Sequence, residues 1–364
     1  MPFLEPVHTD ILPGILEALL PWYRMESDER ELPWRADVTP YHTWVSEIML
    51  QQTRAAAVIP YYERFLSELP DIAALAACPE DDLMKLWQGL GYYSRARNLQ
   101  KGAKLVCEEY GGKLPADYAL LRKIPGIGSY TAGAIASIAF GLPQPAVDGN
   151  MLRVITRTLA WGSDVLAAKT KTALEQLLTP LYPSGRDAGD LNQAFMDLGA
   201  TICLPHGEPH CSHCPLARLC LAHAQGTEQD YPKKKAKAKR RIEHLTILKL
   251  CAGRAFAIRK RPETGLLAGL WELPNLPGTL SRTDVQDVLE QHGLSAAKIT
   301  ALPPAKHIFS HVEWRMTAYA VQLETDSPQV AETPSDGLRF ISPEQAAESY
   351  SIPSAFQYFL HEIE

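Results

Sequence analysis

The spacing of hydrophobic residues changes once along this chain, and that change restricts the possible folds more than any other feature. From residue 10 to about 225, apolar residues recur three and four positions apart, the period of an amphipathic helix. After residue 244 they alternate instead, as strands do. Three segments show this alternation: Leu245–Cys251, Arg254–Arg259 and Trp314–Leu323. The chain is therefore predicted to be multidomain, with an all-α region at 1–225 and a smaller α/β domain at 245–364.

Residues 226–244 separate the two regions and are predicted to be an interdomain linker. They contain the basic run Lys233–Arg241, carry a net charge of +4 and lack apolar periodicity. Such a run is usually solvated, and contact with phosphates is its second possible role. The whole chain has a formal net charge of −6 over 364 residues, so its charge alone does not indicate a nucleic-acid partner.

Proline and glycine residues separate the helices predicted in the first region. Thr39 and Pro40 have the pattern of an N-cap followed by proline at the first helical position. The predicted helices of both regions are Tyr41–Arg54, Ala56–Glu68, Glu80–Trp87, Ser94–Tyr110, Tyr118–Lys123, Ser129–Phe140, Asn150–Leu159, Lys169–Leu178, Gly189–Ile202, Asp284–Gln291 and Ser354–Glu362.

No apolar run is long enough to span a membrane, and the N-terminus lacks the pattern of a signal peptide. We therefore expect no membrane association and a cytoplasmic location, at the nucleoid if the source is bacterial. A monomer is expected, and the sequence identifies no protein partner.

The turn Pro125-Gly126-Ile127-Gly128 ends one helical pattern and opens another at Ser129. Its two glycines leave backbone N–H groups uncovered at the positive end of a helix, where a phosphate oxygen can approach. The ordinary alternative is a tight connection between two helices. Asp148 follows about twenty residues later. It can cap the next helix or place an acid beyond a bound backbone, which would indicate chemistry on DNA.

Four of the seven cysteines lie close together, separated by spacers of seven, two and five residues. They are Cys203, Cys211, Cys214 and Cys220. In an intracellular chain such a group indicates a metal site rather than disulfides. Zinc and an iron–sulfur cluster both accept four thiolates, and nearby histidines leave a mixed zinc site open. These histidines are His206, His210 and His213. The three other cysteines, Cys78, Cys107 and Cys251, are expected to be buried small hydrophobes.

Together with the turn and the cysteines, four further segments resemble the helix-hairpin-helix DNA glycosylases of the endonuclease III superfamily, and among them the adenine DNA glycosylases. The segments are Leu32–Arg35, Val45–Thr53, Gly89–Arg95 and Val147–Asn150. The resemblance covers nearly the whole chain. It implies a six-helix barrel with the hairpin at about 32–148, and an iron–sulfur domain built from 1–31 and 149–225. It also implies a [4Fe–4S] cluster on the four cysteines, although the family's first spacer usually has six residues rather than seven.

The chemistry implied by this family needs two carboxyl groups. Removing a purine passes through an oxocarbenium-like sugar, so an acid must protonate the base and a carboxylate must stabilise the cation. The resemblance makes Glu47 the acid, and apolar neighbours on its helix would raise its pKa; the ordinary alternative is a surface glutamate. Asp148 corresponds to the second carboxylate, expected to stay ionised at a helix N-terminus, and Asn150 orients it.

Tyr130 stands where strand-cleaving relatives carry a lysine. A lysine could form a Schiff base with the sugar, whereas a phenol cannot. We therefore expect a monofunctional enzyme that leaves an abasic site with little strand cleavage. The alternative role of Tyr130 is that of an aromatic packing between helices.

The target base must be flipped out of the duplex. By resemblance, one set of residues lines the adenine pocket: Trp34, Arg35, Leu50 and Gln193. A second set fills the vacated stack or touches the opposite base: Gln52, Thr53, Leu90 and Tyr92. Gly126 and Gly128 would hold the DNA backbone.

In the second region, Gly265–Pro274 resembles the segment that precedes the catalytic box of Nudix hydrolases. That box holds divalent metal with several carboxylates. Aligned on Gly293, this chain offers Gln286, Asp287, Glu290 and Gln291, without the arginine and one acid of the box. Hydrolysis is therefore not expected. Residues Phe309-Ser310-His311 match the loop that reads 8-oxoguanine, with the aromatic ring as a wedge and the two polar side chains as hydrogen-bonding groups.

The expected activity is removal of adenine mispaired with 8-oxoguanine or guanine in duplex DNA. Three alternatives stand beside it: a glycosylase acting on oxidised pyrimidines, a nucleotide diphosphatase using 245–364, and a DNA-binding iron–sulfur protein without catalysis. Tyr130 argues against the first alternative, and the incomplete box argues against the second. The presence of both Glu47 and Asp148 argues against the third.

Overall fold

The structure is a computed structural model that describes residues 3–26, 31–235, 239–324 and 337–360. Its contacts divide the chain into two compact units. The first unit comprises Met1–Cys78 and Arg97–Ala236, and the second comprises Pro79–Ala96 and Lys237–Glu364. Among the described residues, no helix has both the length and the apolar character needed to cross a membrane.

The first unit is helical, as predicted. The helices described between residues 1 and 225 are α1 (Leu12–Glu26), α2 (Pro33–Ala36), α3 (Pro40–Leu50), α4 (Ala55–Glu68), α5 (Ile72–Ala77), α6 (Glu80–Leu86), α7 (Ser94–Tyr110), α8 (Tyr118–Leu121), α9 (Ser129–Ala134), α10 (Gly149–Thr158), α11 (Ala168–Leu178), α12 (Arg186–Thr201) and α13 (Leu221–Gln225). Of these, α6 and the start of α7 belong to the second unit. A π-helical turn, Ile135–Ala139, continues α9.

Two helix starts behave as the sequence indicates. The Thr39 side chain accepts a hydrogen bond from the His42 amide, and Pro40 is the first residue of α3. Asp148 caps α10 by accepting from the Met151 amide. These caps fix where the two helices that carry the candidate site begin.

Several predicted helices have different ends in the structure, and two of these differences lie near the candidate site. The helix predicted at Tyr41–Arg54 stops at Leu50, because Gln51 has an extended ψ of 117° and Gln52 is left-handed at φ 59°. The helix predicted at Ser129–Phe140 widens into a π turn. There the Ser137 hydroxyl donates to the Gly133 carbonyl at 2.7 Å, which competes with the α-helical ladder.

Helices α1, α10, α11 and α12 enclose one hydrophobic core of the first unit, around Leu19, Ile155, Leu174 and Phe195. Helices α3 and α7 and the glycine-rich turn also approach one another closely, at Gly102. A Cβ there would lie 2.8 Å from the Trp44 ring and 2.9 Å from Ile124 and from the Pro125 carbonyl. Only glycine lets these segments approach so closely.

In its described residues, the second unit contains a mixed seven-stranded sheet with path β3-β2-β1-β6-β5. Its strands are β1 (Arg241–Ala252), β2 (Ala255–Lys260), β3 (Trp271–Glu272), β4 (Asn275–Pro277), β5 (Ala296–Ile308), β6 (Val312–Leu323) and β7 (Leu338–Ile341). Strands β1 and β6 are parallel, and the other pairs are antiparallel. The helices are α14 (Arg282–Gln291), α15 (Pro343–Ser349) and α16 (Ser354–Leu360). Two clusters of buried apolar residues form its core.

Three further features of the structure differ from the prediction. The predicted linker 226–244 is too long, because β1 begins at Arg241 and pairs with β6 from Val312 onward. Strand β5 was not predicted, since Pro303 and Pro304 interrupt its pattern; a register shift between Leu302 and Ala305 accommodates them. Segment Pro79–Ala96 groups with the second unit rather than with the rest of 1–225. The predicted end of the last helix, at Glu362, and part of the basic run, at 236–238, lie outside the described residues.

Candidate active site and cysteine cluster

Glu47 and Tyr130 form a hydrogen-bonded pair at the centre of the candidate site. Glu47 lies in the middle of α3 and is 4 % exposed. Tyr130, in the first turn of α9, donates its hydroxyl proton to Glu47 Oε2. Burial raises the pKa of Glu47 to about 7, with Asp148 adding to the rise, while the Tyr130 hydrogen bond and Arg35 oppose it. The rise has the direction expected from apolar surroundings, and near neutrality Glu47 can hold or release a proton.

Asp148 is held by donors on both carboxylate oxygens. Its Oδ1 accepts from the Met151 amide at 2.7 Å, and its Oδ2 accepts from Asn150 Nδ2 at 2.8 Å. Burial nevertheless raises the pKa of Asp148, against these donors and the charge of Arg153. The sequence led us to expect that the helix terminus would hold the pKa of Asp148 low. Burial outweighs the helix terminus, so the pKa is raised instead.

Arg153 links Asn150 to the backbone around the first cysteine. Its Nη2 donates to Asn150 Oδ1 at 2.8 Å and to the Gly199 carbonyl at 2.7 Å, and its Nε donates to the Cys203 carbonyl at 2.7 Å. A Cβ on Gly199 would lie 2.6 Å from Asn150 Cβ. The sequence analysis missed both Arg153 and Gly199; the available signal was Arg153 one helical turn beyond Asn150.

An open groove of the first unit contains two of the predicted adenine-pocket residues, Arg35 and Gln193. Arg35 makes a two-point contact with Asp197, at 2.8 and 2.9 Å. Gln193 Oε1 accepts a hydrogen bond from the Tyr23 hydroxyl at 2.8 Å, and Tyr23 also lines the groove. The positive charge of Arg35 lowers the pKa of Glu47, so a residue of the groove acts electrostatically on the candidate acid.

The other predicted base-contacting residues of this unit lie around α2 and α3. Trp34 is buried and packs edge-on against Tyr62, with ring centroids 5.5 Å apart. Leu50 is the last residue of α3 and is half-buried. Gln52 is exposed in its left-handed conformation, and Thr53 is half-buried beside it.

The glycine-rich turn has the open backbone that the sequence indicated. Gly126 has a φ of 81°, and a Cβ there would lie 2.9 Å from Asn98 Cβ, so this position requires glycine. Gly128 precedes α9, and a Cβ there would meet nothing within 4 Å. Both glycines are exposed. The turn can be approached from solvent.

Within the second unit, Arg95 holds the loop that carries Leu90 and Tyr92. Its Nη2 donates to the carbonyls of Leu90 and Gly91 at 2.9 and 3.0 Å. Its guanidinium lies 5.3 Å from the ring centroid of Trp87 and 5.7 Å from that of Tyr92. Tyr92 has a φ of 48° and is 52 % exposed, whereas Leu90 is buried. The loop is thus held in a conformation that a non-glycine residue rarely adopts.

Phe309, Ser310 and His311 lie in the turn between β5 and β6. The Phe309 ring packs against Trp314 at 4.8 Å, while Ser310 and His311 are exposed. The hydroxyl oxygens of Tyr92 and Ser310 are 3.1 Å apart. The loop containing Tyr92 and the turn containing Ser310 are therefore joined by a hydrogen bond.

The helix aligned with the Nudix box, α14, exposes Gln286, Asp287 and Glu290. Gln286 Nε2 donates to Glu290 Oε1 at 3.1 Å. In the part of the chain that the structure describes, the acids of α14 do not form a group of three or more potential metal ligands.

The four clustered cysteines line one cavity between α10, α12 and α13, together with Arg157 and His223. Arg157 Nη1 donates to Cys203 Sγ at 3.2 Å. Burial raises the pKa of Cys211 to about 11 and that of Cys214 to about 12, and the other thiols add to both shifts. Since four neighbouring thiolates repel one another in a buried site, this donor set fits a cationic metal centre.

The histidine that reaches the cysteine cavity is His223, which sequence reasoning did not single out. It contacts Glu228 Oε1 through Nδ1 at 2.7 Å, and that oxygen lies 3.8 Å from Cys211 Sγ. Ligand atoms of Cys211, His223 and Glu228 all lie within 4.8 Å of one another. The histidines considered for a mixed zinc site, His206, His210 and His213, are exposed.

The chain is similar to known proteins over both of its regions. The family model described as "HhH-GPD superfamily base excision DNA repair protein" matches residues 45–180, and a NUDIX domain model matches residues 246–362. A Mus musculus protein named adenine DNA glycosylase is 35% identical over 402 residues, covering 94% of this chain and 77% of the relative. The Homo sapiens protein of the same name is 34% identical over 410 residues, covering 94% and 73%.

Two solved structures resemble the helical region. A thermostable thymine-DNA glycosylase superimposes with a TM-score of 0.51 and 29% identity, covering 58% of this chain and 96% of that one. A non-covalent endonuclease III–DNA complex gives a TM-score of 0.50 and 25% identity, covering 60% and 98%.

Proposed function

The chain belongs to the adenine DNA glycosylases of the HhH-GPD base excision repair superfamily, and on that premise we propose that it removes adenine opposite 8-oxoguanine, or less readily opposite guanine, in duplex DNA. The observation that carries this proposal is the site itself. The buried acid Glu47, hydrogen-bonded to Tyr130, stands with Asp148 and Asn150 in one unit. This is the pair of carboxyl groups that cleavage of an N-glycosidic bond requires.

Glu47 supplies the proton in this mechanism. Because Tyr130 donates to Oε2, we assign the carboxyl proton to Oε1, from which it would pass to the departing adenine. A pKa of about 7 leaves a large protonated fraction at neutral pH while keeping proton transfer easy. Once adenine has left, the carboxylate can accept a proton from the attacking water.

Asp148 stabilises the sugar cation, either through its charge or through a transient bond. Asn150 keeps it oriented by donating to Oδ2 at 2.8 Å, and Arg153 in turn holds the carbonyl oxygen of Asn150. These contacts orient the carboxylate of Asp148 in advance of cleavage of the N-glycosidic bond. The site therefore needs little reorganisation in the transition state.

Tyr130 makes the reaction monofunctional. Its hydroxyl hydrogen-bonds to the acid rather than attacking the sugar, and a phenol cannot form the imine that would lead to strand cleavage. The product is an abasic site in an intact strand.

We assign recognition of the mispair to residues of the helical region and to residues of the C-terminal domain. Arg35 and Gln193, with Trp34 and Leu50, receive the flipped adenine. Gln52, Thr53, Leu90 and Tyr92 act at the emptied stack and the opposite base, while Gly126 and Gly128 hold the backbone. In the 8-oxoguanine recognition domain, 245–364, Phe309 acts as a wedge and Ser310 and His311 bind the lesion. The hydrogen bond between Tyr92 and Ser310 supports a joint role for these two segments.

The cysteine cavity is proposed to hold a [4Fe–4S] cluster within the region 1–31 and 149–225. The residues that would hold it are Cys203, Cys211, Cys214 and Cys220. When bound, such a cluster crosslinks the segment and can exchange single electrons. We further propose that the enzyme works as a monomer in the cytoplasm, at the nucleoid if the source is bacterial.

A strand-cleavage assay tests the proposal. Duplexes with adenine opposite 8-oxoguanine are incubated with the protein, and the strands are resolved with and without hot alkali. Cleavage that depends on alkali is expected because base removal leaves an abasic site. Equal cleavage without alkali would contradict the monofunctional reaction, and no cleavage in either arm would contradict adenine excision.

Glu47→Gln gives the matched test of the acid. The amide has the same shape but cannot protonate adenine, so excision should fall by about 100-fold or more while duplex binding is retained. The control is Glu68→Gln, an exposed glutamate at the end of the neighbouring helix α4. Excision by Glu47→Gln at the rate of this control would remove Glu47 from the proposed role.

A further inference from the structure

Tyr23 makes a contact that the proposed chemistry does not use. It lies in α1, is 6 % exposed, and lines the same groove as Gln193. Its hydroxyl donates to Gln193 Oε1 at 2.8 Å, across 170 positions of sequence. The contact therefore joins α1 to α12 at the residue assigned to the flipped base.

This hydrogen bond selects one orientation of the Gln193 amide. A glutamine amide can turn over by 180°, which exchanges its acceptor oxygen with its donor nitrogen. Turned over, it would present Nε2 to the Tyr23 hydroxyl and deprive the phenolic proton of this acceptor in a buried position. Burial also raises the pKa of Tyr23 to about 12, so the phenol keeps its proton.

Neighbouring contacts hold the helices of Tyr23 and Gln193 together. The guanidinium of Arg35 lies 5.7 Å from the Tyr23 ring centroid, but its two ends bind Asp197 at 2.8 and 2.9 Å. Beside Tyr23, Arg24 Nε donates to Asp190 Oδ2 at 3.2 Å, which ties α1 to α12 next to the contact. Tyr23 and Gln193 are thereby kept at hydrogen-bonding distance.

The orientation matters because a flipped base is read by its Watson–Crick edge. Adenine presents an N6 donor beside the N1 acceptor, and an amide with a carbonyl beside an N–H matches this pair. Guanine and hypoxanthine present the reverse, an O6 acceptor beside an N1–H donor. An amide that turns over would match them equally well. The second lone pair of Oε1 remains available to the base while the first accepts from Tyr23.

We propose that Tyr23 is a specificity-determining residue, which fixes the Gln193 amide so that the groove accepts adenine and rejects 6-oxopurines. This inference rests on the proposed function, since it assigns the flipped base to the groove of Gln193. Tyr23 acts through Gln193 and not on the reacting atoms, so its removal should alter the choice of base more than the rate of chemistry.

The test compares single-turnover excision of adenine and of hypoxanthine, each placed opposite 8-oxoguanine. Tyr23→Phe should lower the adenine-to-hypoxanthine ratio about tenfold, the equivalent of one net hydrogen bond. In a Gln193→Ala background, Tyr23→Phe should leave the ratio unchanged, because no amide remains to be oriented. The matched control is Tyr41→Phe, which removes another buried tyrosine hydroxyl, one that donates to the Leu69 carbonyl.

A second variant keeps the inference testable if Tyr23→Phe folds poorly. Gln193→Glu has no N–H donor and two equivalent acceptors, so it should lower the ratio even with Tyr23 present. An unchanged ratio in Tyr23→Phe or in Gln193→Glu would overturn the inference. An equal change on Tyr23→Phe with and without the Gln193 side chain would also overturn it.

The two proposals fail in different ways. Adenine excision with a ratio indifferent to Tyr23 contradicts only the specificity role. A protein that excises no adenine contradicts the proposed function, and this inference with it.

Discussion

Replacing Tyr130 with phenylalanine should move the pH dependence of excision toward alkaline pH. Tyr130 donates a hydrogen bond to Glu47 Oε2, and that donor stabilises the charged carboxylate. Without it, the carboxyl holds its proton to higher pH. The rate depends on the protonated form, so excision should fall as the pH rises through the pKa of Glu47, and that fall should be displaced upward.

The size of the displacement follows from the strength of the lost bond. A hydrogen bond to a charged group contributes about 1.5–3 kcal/mol. Since one pKa unit corresponds to about 1.4 kcal/mol, the midpoint should rise by about one to two units. From a starting pKa of about 7, the variant should therefore keep acid activity to about pH 8 or 9.

The assay is single-turnover excision of adenine opposite 8-oxoguanine between about pH 5.5 and about pH 9.5, with enzyme in excess so that chemistry limits the rate. Tyr41→Phe is the control, because it loses a buried hydroxyl from α3 that bonds to a backbone carbonyl rather than to Glu47. A midpoint that stays near 7 in Tyr130→Phe, or that moves down, would refute the reasoning. It would mean that Glu47 is not the group that limits the rate, or that Tyr130 does not stabilise its charge.

Three further predictions concern other parts of the site. Gly199→Ala should slow excision by about 100-fold with folding retained, because the new Cβ displaces Asn150; single-turnover kinetics beside thermal melting will check this, and an unaltered rate would mean that Asn150 tolerates the shift. Arg95→Lys should weaken duplex binding by about tenfold, since an ammonium cannot replace a guanidinium that contacts two carbonyls and two rings. Fluorescence anisotropy measures it, and wild-type affinity would show that the loop holds Tyr92 without Arg95. Cys214→Ser should reduce bound iron and lower the melting temperature, by metal analysis and calorimetry; a wild-type protein loaded with zinc and free of iron would contradict the [4Fe–4S] assignment.

Local signals predicted the parts of the fold that depend on neighbours in sequence. The caps at Thr39 and Asp148 were readable because a capping side chain acts within three residues. The change from helix to strand was readable because burial imposes its own period on each element. Strand β5 was not, since two prolines break its pattern and its pairing with β6 is decided by tertiary contacts.

The candidate site divides in the same way. The presence of Glu47, Asp148 and Tyr130 in motifs was visible in the sequence, but the hydrogen bond from Tyr130 to Glu47 spans 83 positions and is visible only in the folded chain. The upward shift of the Asp148 pKa was not anticipated either, since it depends on how much of the carboxylate the fold covers. These electrostatic properties depend on contacts between residues that are far apart in the sequence, and local sequence patterns do not reveal such contacts.

The grouping of Pro79–Ala96 with the second unit has a consequence for engineering and for evolution by recombination. Asp81 pairs with Lys260 at 2.9 Å, Gln88 donates to the Ile352 carbonyl at 3.3 Å, and Tyr92 reaches Ser310. A crossover placed at the linker would exchange only one side of each of these contacts. A chimera between relatives should therefore inherit residues 79–96 from the same parent as the C-terminal region, so the unit of exchange is discontinuous in the gene.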